Sequence, residues 1–593
     1  MCGIGGLMRR DGAPPPAAPL AAIRRALAHR GPDGAGRYRS GDVGMAHTRL
    51  AIIDLESGEQ PLHEPGGAAL IANGEIYNYR ELAQSLQAGP RPPVFATRSD
   101  CEPPLHLYRR HGLDFALHLR GMYALALHDP AAGRLVLARD PFGIKPLYYA
   151  ELADGFAFAS QPRALFAAGL VSPALCVSAR NELVQMQFTT GRRTIFAGID
   201  RVLPGETIVV RRGRIVERRR HAALPEGGPL PLGEAEALAR LDAALADSVR
   251  LHQRADVPFG LFLSGGIDST AVLVMMARLA EHKVRALTIG FAEPGVADER
   301  AAARAAARAV GAEHIEVLFD ENDFWRLLPE IVAAIDDPTA DYAILPTYKL
   351  AGVARREGLK VVLTGEGGDE LFGGYGRYRS AMRPWWAGGR MPRARGLLDG
   401  LGVLRGEIAG WRDGIAAAEA RGGGCGRSAL QVAQLVDCAD WLPNDLLVKL
   451  DRCLMAHGVE GRTPFLDPPL AAFAFRLPDA LKIRRGLGKW LLRRWLAEHL
   501  PEARPLAKKR GFTVPVGRWI AGRAGEIGPL VAAAPAVREL CRPEAVERLF
   551  AAAADKRAGR AAWTLLFYAL WHRHHVEGAA LPADTRAALV EYA

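Results

Sequence analysis

The chain runs to 593 residues, 49% of them apolar and 24% charged, which is more than one hydrophobic core accommodates and predicts roughly two to four domains. No apolar run nears the roughly 20 residues needed to span a bilayer, and the formal charge of +11 is spread along the chain with only short basic runs such as 218–220, so neither a membrane span nor a concentrated nucleic-acid face is expected. Seven cysteines, an odd number without a CxxC pair, argue against a disulfide framework or a zinc motif and for free thiols in a reducing cytoplasm.

Met1 is followed at once by Cys2-Gly3-Ile4 and then a polar turn at Arg9-Arg10-Asp11-Gly12, which is not the pattern of a secretory signal. Short alternating apolar segments at 44–53, 69–71, 123–127 and 135–138 lie between Gly, Pro and Asp turns. They predict an antiparallel β-rich domain over 1–210. Residues 211–236 lose that periodicity and gather arginine, proline and glycine, which predicts a linker. From 237 to 593 the pattern changes. Strands at 259–263, 284–289, 314–317 and 360–364 alternate with helices at 270–280 and 298–310. This predicts an α/β, doubly wound parallel sheet whose ligands bind beyond the C-terminal strand ends. After about residue 380 the chain reads as mainly helical, with a flexible break at 422–426.

Cys2 is a candidate nucleophile. Its small side chain permits removal of the initiator methionine, leaving a thiol and an α-amine on one residue. An α-amine titrates near 7.7 to 8.0, so at neutral pH it can take the thiol proton. Taken alone, Cys2 reads as an incidental cysteine and Asn73-Gly74 as a tight hairpin turn. The order Cys2-Gly3-Ile4-Gly5-Gly6, His29-Arg30-Gly31-Pro32-Asp33-Gly34, His47-Thr48-Arg49-Leu50, Asn73-Gly74-Glu75-Ile76-Tyr77-Asn78 and Ser99-Asp100-Cys101-Glu102 resembles the class II, N-terminal-nucleophile glutamine amidotransferase domain. That resemblance implies an αββα sandwich in which Cys2 attacks the glutamine amide while Asn73 and the Gly74 N–H hold the oxyanion. It also implies that Arg49 grips the substrate α-carboxylate and Asp100 its α-amine, with Leu50, Ala51, Ile52, Ile53 and Glu75 lining the pocket. The pairings make chemical sense, since charge-assisted bonds of this kind contribute roughly 1.5 to 3 kcal/mol each.

A second site follows the 259–263 strand. Leu263-Ser264-Gly265-Gly266-Ile267-Asp268-Ser269 stands between a strand and a helix, where glycines admit an oxyanion and the helix N-terminus favours negative charge. It is neither a Walker loop nor a Rossmann fingerprint. It resembles the signature of ATP pyrophosphatases, which cleave ATP between the α- and β-phosphates. The resemblance implies Ile289 at adenine and Thr364 and Gly365 at the nucleotide, with Mg2+ on Asp268 and Asp369. Within Gly365-Glu366-Gly367-Gly368-Asp369-Glu370, Glu366 would support adenylate formation or deprotonate ammonia.

An adenylate concentrates negative charge, so a lysine is expected beside it. Only ten lysines stand in this arginine-rich chain, which makes each retained one a weak hint of a needed primary amine. Lys508-Lys509-Arg510-Gly511-Phe512 resembles a late lysine element, with Lys509 the choice and Lys508 second. The stretches 441–452 and 460–467 resemble asparagine synthetases, and the spacing of Leu446, Leu450 and Leu454 there fits scaffold as well as acceptor pocket. Over about 500 of the 593 residues the resemblance implies a glutamine-dependent asparagine synthetase using glutamine, aspartate and ATP. Gln161, Gly461 and Asn444 depart from its usual residues. Two rivals stay open: the same chemistry on a sugar, peptide or specialised carboxylate, and an RNA-modifying pyrophosphatase. A homodimer is left open as well.

Overall fold

A computed structural model of the chain describes residues 2–280, 282–291, 293, 298–383, 386, 389, 391, 393–424, 426–507 and 513–590. Its first part is built on two six-stranded sheets. One runs, in spatial order, Asp200–Arg201, Tyr148–Leu152, Gly155–Ala159, Gly3–Arg9, Val43–Arg49, Gly34–Ser40; the other runs Arg214–Arg220, Glu206–Arg211, Arg134–Arg139, Gly121–Asp129, Ala69–Ile76, Leu62–His63.

Strand alternation decides which side chains go where. Ile4, Met45, Ile71, Ala126, Leu137 and Phe158 point inward and make the layer between the sheets. Leu7, Ala46 and Ala157 face outward onto the Ala17–Ala26 helix, while Leu70, Ala72 and Leu125 face outward onto the Pro103–His111 helix. The outcome is the expected αββα layering.

Within the tract predicted as a linker, Arg214–Arg220 is a strand that hairpins back on Glu206–Arg211. Its arginines are tolerated because it is an edge strand largely open to solvent, and that polarity hid its periodicity.

The second part holds a five-stranded parallel sheet in the order Glu313–Phe319, Arg285–Phe291, Phe259–Phe262, Val361–Leu363, Glu460–Arg462. Strand order reverses direction at Phe259–Phe262, so the loops leaving it and Val361–Leu363 open side by side at a topological switch point. Helices Ile267–Leu279 and Glu234–His252 pack together near this sheet, and a C-terminal helical layer centres on the buried Lys556–His575 helix. Among the described residues no helix is long and apolar enough to cross a membrane.

Candidate active site

Cys2 precedes the Gly3–Arg9 strand and is 6% exposed. Its N–H donates to Asn73 Oδ1 at 3.1 Å. The other end of that amide, Asn73 Nδ2, is buried with no hydrogen-bond partner. A buried donor left unmade costs roughly 1–3 kcal/mol, and here it stands beside the proposed nucleophile, as an oxyanion donor should.

Asn73 and Gly74 do not form a hairpin turn. They lie inside the Ala69–Ile76 strand, opposite Ala124 and Tyr123. A Cβ at Gly74 would come within 2.2 Å of the Met122 carbonyl oxygen, so close approach of two strands dictates the glycine.

Arg49 donates to the carbonyls of Asp54 and, at 3.4 Å, Ile53, and the pocket loop of Leu50, Ala51, Ile52 and Ile53 is buried. Arg49 and Glu75 both act electrostatically on Cys2. Asp100 Oδ2 accepts the Ile76 N–H at 2.7 Å. Burial pushes its carboxyl up to about 6 and lifts the neighbouring Glu75 well above the usual carboxylate range, with the Asp100 charge adding to the effect. Burial also raises the Cys2 thiol, so nucleophilic attack requires a base.

At the second site Gly265 takes φ +69°, a conformation open to glycine, and lets the chain turn into the Ile267–Leu279 helix. The Ser264 and Ser269 hydroxyls meet at 3.0 Å, and Gly266 N–H donates to Ser264 Oγ at 3.2 Å, which fixes the loop. Leu263 and Ile289 are buried at the edge of this loop, and Thr288 Oγ1 donates to the Leu263 carbonyl at 2.6 Å. The two loops converge. A Cβ at Gly365 would lie 2.8 Å from Ser269 N, and one at Gly368 would lie 2.5 Å from Asp268 Cγ. Burial raises the Glu366 carboxyl, a shift that suits a proton acceptor.

Two lysines missed in the sequence complete the site. Lys489 forms an ion pair with Asp268 and another, at 2.7 Å, with Asp369. Lys449 is 2.9 Å from Asp341 and 4.0 Å from Glu366. The rarity of lysine was the signal that could have found both. The helix Leu447–Met455 that carries Lys449 continues a π-helical segment, Asp437–Leu446, and such irregularities cluster at functional sites. Leu450 and Leu454 on that helix are core, so the element is scaffold and site at once. Lys508 and Lys509 lie outside the described residues.

Asp268 and Asp369 fit Mg2+, which takes one or two carboxylates together with phosphate oxygens. The halves also meet at a narrow gap, too tight for a water molecule, between Ile144 and Lys145 on one side and Leu447, Leu450, Asp451 and Gly461 on the other. Gln161 donates across the interface to Asp336 at 3.2 Å. A glutamate at that position would set two buried carboxylates against each other there.

A family model described as asparagine synthase matches residues 240–573, and one described as a glutamine amidotransferase domain matches residues 1–221. A Mycobacterium tuberculosis protein named "putative asparagine synthetase, glutamine-hydrolyzing" is 34% identical over 95% of each chain. A Bacillus subtilis asparagine synthetase, also glutamine-hydrolyzing, is 32% identical over 95% of this chain and 94% of its own. The amidase chry2 of Gibberella zeae is 34% identical over 60% of this chain and 55% of its own.

Proposed function

The chain belongs to the glutamine-hydrolysing asparagine synthetase family, and from that premise we propose that residues 1–210 release ammonia from glutamine at Cys2 while residues 237–593 activate aspartate with ATP to receive it. Loss of Met1 would free the Cys2 α-amine to take the thiol proton. The thiolate attacks the glutamine side-chain carbonyl, and the Asn73 amide with the Gly74 N–H holds the resulting oxyanion. Arg49 and Asp100 bind the α-carboxylate and α-ammonium, and hydrolysis of the thioester leaves glutamate.

At the second site the aspartate β-carboxylate attacks the α-phosphorus of ATP, giving β-aspartyl-AMP and pyrophosphate. The loop 263–269, Ile289, Thr364 and Gly365 bind the nucleotide, and Lys489 offers its positive charge to the departing pyrophosphate. Asp268 and Asp369 would hold Mg2+, which when bound would supply charge neutralisation to the phosphates. Glu366 accepts a proton from ammonia as it displaces AMP, and asparagine forms. Lys509 is assigned to the adenylate charge.

The observation that carries the glutaminase half is the buried Asn73 Nδ2, without a partner, beside Cys2. Pyrophosphate release measured over a panel of carboxylic acids, with mass detection of the amidated product, tests the acceptor: aspartate is expected to stand out. A different acid standing out would support the second reading, the same chemistry on another carboxylate.

A further inference from the structure

Asp341 and Lys449 form an ion pair of 2.9 Å beside the acidic loop, and the lysine stands 4.0 Å from Glu366, beyond hydrogen-bonding reach. Burial disfavours both charges, but each partner outweighs it for the other: the Asp341 carboxyl lies below the usual carboxylate range and the Lys449 ammonium above its own. Both are therefore ionised at neutral pH.

The surroundings hold the two charges in place from outside the pair. Asp341 Oδ1 accepts the Ala343 N–H at 3.0 Å, and the Asp341 N–H donates to Thr339 Oγ1 at 3.4 Å. The Thr339 hydroxyl donates in turn to Asp445, which also accepts the Trp441 indole N–H at 2.5 Å. Asp445 lies near the end of the π-helical segment Asp437–Leu446, and Lys449 follows one turn later in Leu447–Met455, so one irregular helix fixes both members.

As a structural brace the pair is poorly made. An ammonium carries three donors, and a buried ion pair contributes stability only when the remaining ones are satisfied as well. Among the described residues Lys449 makes one hydrogen bond, whereas the buried Lys482 makes two, to Gln434 at 2.9 Å and the Phe475 carbonyl at 2.6 Å. The Asp341 side chain is also 20% exposed, so the pair is open on that side. An anion and a cation held side by side, each with bonding capacity left, are the complement of a zwitterion.

We propose that Asp341 and Lys449 are the specificity-determining pair of the synthetase half and take the head of an α-amino acid acceptor, Lys449 binding its α-carboxylate and Asp341 its α-ammonium. This rests on the proposed adenylate chemistry at the acidic loop, from which Glu366 faces Lys449. Without an acceptor the two side chains hold each other, so the empty site buries no lone charge. An acid that carries only half of the head opens the pair and leaves one member unmatched; an acid that carries none leaves it shut.

The test compares aspartate with succinate, which lacks the ammonium, β-alanine, which lacks the α-carboxylate, and propionate, which lacks both. Pyrophosphate release with ammonia as nitrogen source gives kcat/KM for each. In the unmodified enzyme succinate and β-alanine are each expected to fall roughly 10- to 100-fold below aspartate. Propionate should fall by less than the product of those two losses, because it leaves the ion pair closed. Asp341→Asn should bring succinate to about the level of aspartate while β-alanine stays behind, and Lys449→Met should do the reverse. General damage to the site does not produce that crossed pattern. Variants that lower all four acids alike overturn the assignment while aspartate stays the acceptor. Turnover of none of the four overturns the aspartate reading, and the pair falls with it. Should either variant not fold, the four acids on the unmodified enzyme decide: losses that simply multiply, or succinate and β-alanine turned over as well as aspartate, overturn the proposal.

Discussion

Lys489 Nζ lies 2.7 Å from Asp369 Oδ1 while also ion-paired with Asp268, so one ammonium joins the phosphate loop to the acidic loop. Burial lowers its proton affinity, but the two carboxylates more than offset this and hold the pKa at about 12. The side chain is therefore cationic at any pH at which the enzyme works. On the proposed reading, ATP carrying its own cation would compete for these carboxylates and leave Lys489 to turn to phosphate.

Lys489→Met is accordingly expected to lower kcat/KM for ATP by roughly 100- to 1000-fold, the usual loss for one electrostatic stabiliser. Pyrophosphate release with ammonia as nitrogen source measures it, and glutamine hydrolysis should be untouched. Normal pyrophosphate release would remove Lys489 from the site.

Asp268→Ala should stop pyrophosphate release with either nitrogen source, because it removes both a proposed Mg2+ ligand and one partner of Lys489. A magnesium titration separates the two losses. If only the metal ligand matters, excess Mg2+ restores part of the rate; a rate equal to that of the unmodified enzyme would contradict both roles.

Much of this architecture was legible because each motif sits at a change of periodicity. The loop 263–269 follows an apolar run and opens a helix, and 364–370 follows another, so binding beyond the C-terminal strand ends could be read before the sheet order was known. Asn73-Gly74 was harder, since a local turn rule competes with strand pairing, and the Met122 carbonyl that excludes a side chain at Gly74 belongs to a strand some fifty residues away. Lys489 and Lys449 were not found because their partners Asp268, Asp369, Asp341 and Glu366 are all distant in sequence. The edge strand Arg214–Arg220 was hidden for another reason. Its side chains are mostly solvated, so no apolar alternation marks it.

Cys2→Ala should abolish glutamine-dependent synthesis while ammonia-dependent synthesis continues, because the thiol and the nucleotide loops lie in separate halves. Product assay with each nitrogen source checks it, and intact mass should show the native chain beginning at Cys2. Loss of both activities would mean that the two sites are not separable.

The pH dependence follows from Asp100. Its carboxyl is raised to about 6 by burial and must be ionised to hold an ammonium, so the protonated form that accumulates below pH 6 binds glutamine poorly. KM for glutamine is expected to rise roughly tenfold per pH unit as pH falls below about 6. Asp100→Asn should raise KM and flatten that rise, whereas KM for ammonia, expressed as unprotonated NH3, should not share it. A glutamine KM that is level from pH 7 to pH 5 would exclude this role for Asp100.

Ammonia made at Cys2 must cross to the nucleotide loops before it is protonated or lost, and the narrow gap where Ile144 and Lys145 meet Leu447, Leu450, Asp451 and Gly461 is too tight for a water-sized molecule in this structure, so passage there requires these side chains to move apart. Gly461 sits on the wall of that gap without a side chain. A Cβ there would lie 2.9 Å from Leu454 Cδ2 and 3.1 Å from Leu450 Cγ, so a branched side chain must displace Leu454 and Leu450, the second of which lines the gap. Gly461→Val should therefore leave glutamine hydrolysis and ammonia-dependent synthesis near their native rates while more glutamate than asparagine accumulates. Chromatography of both products gives the ratio directly. If it stays at one while Leu450 is displaced, ammonia takes another route.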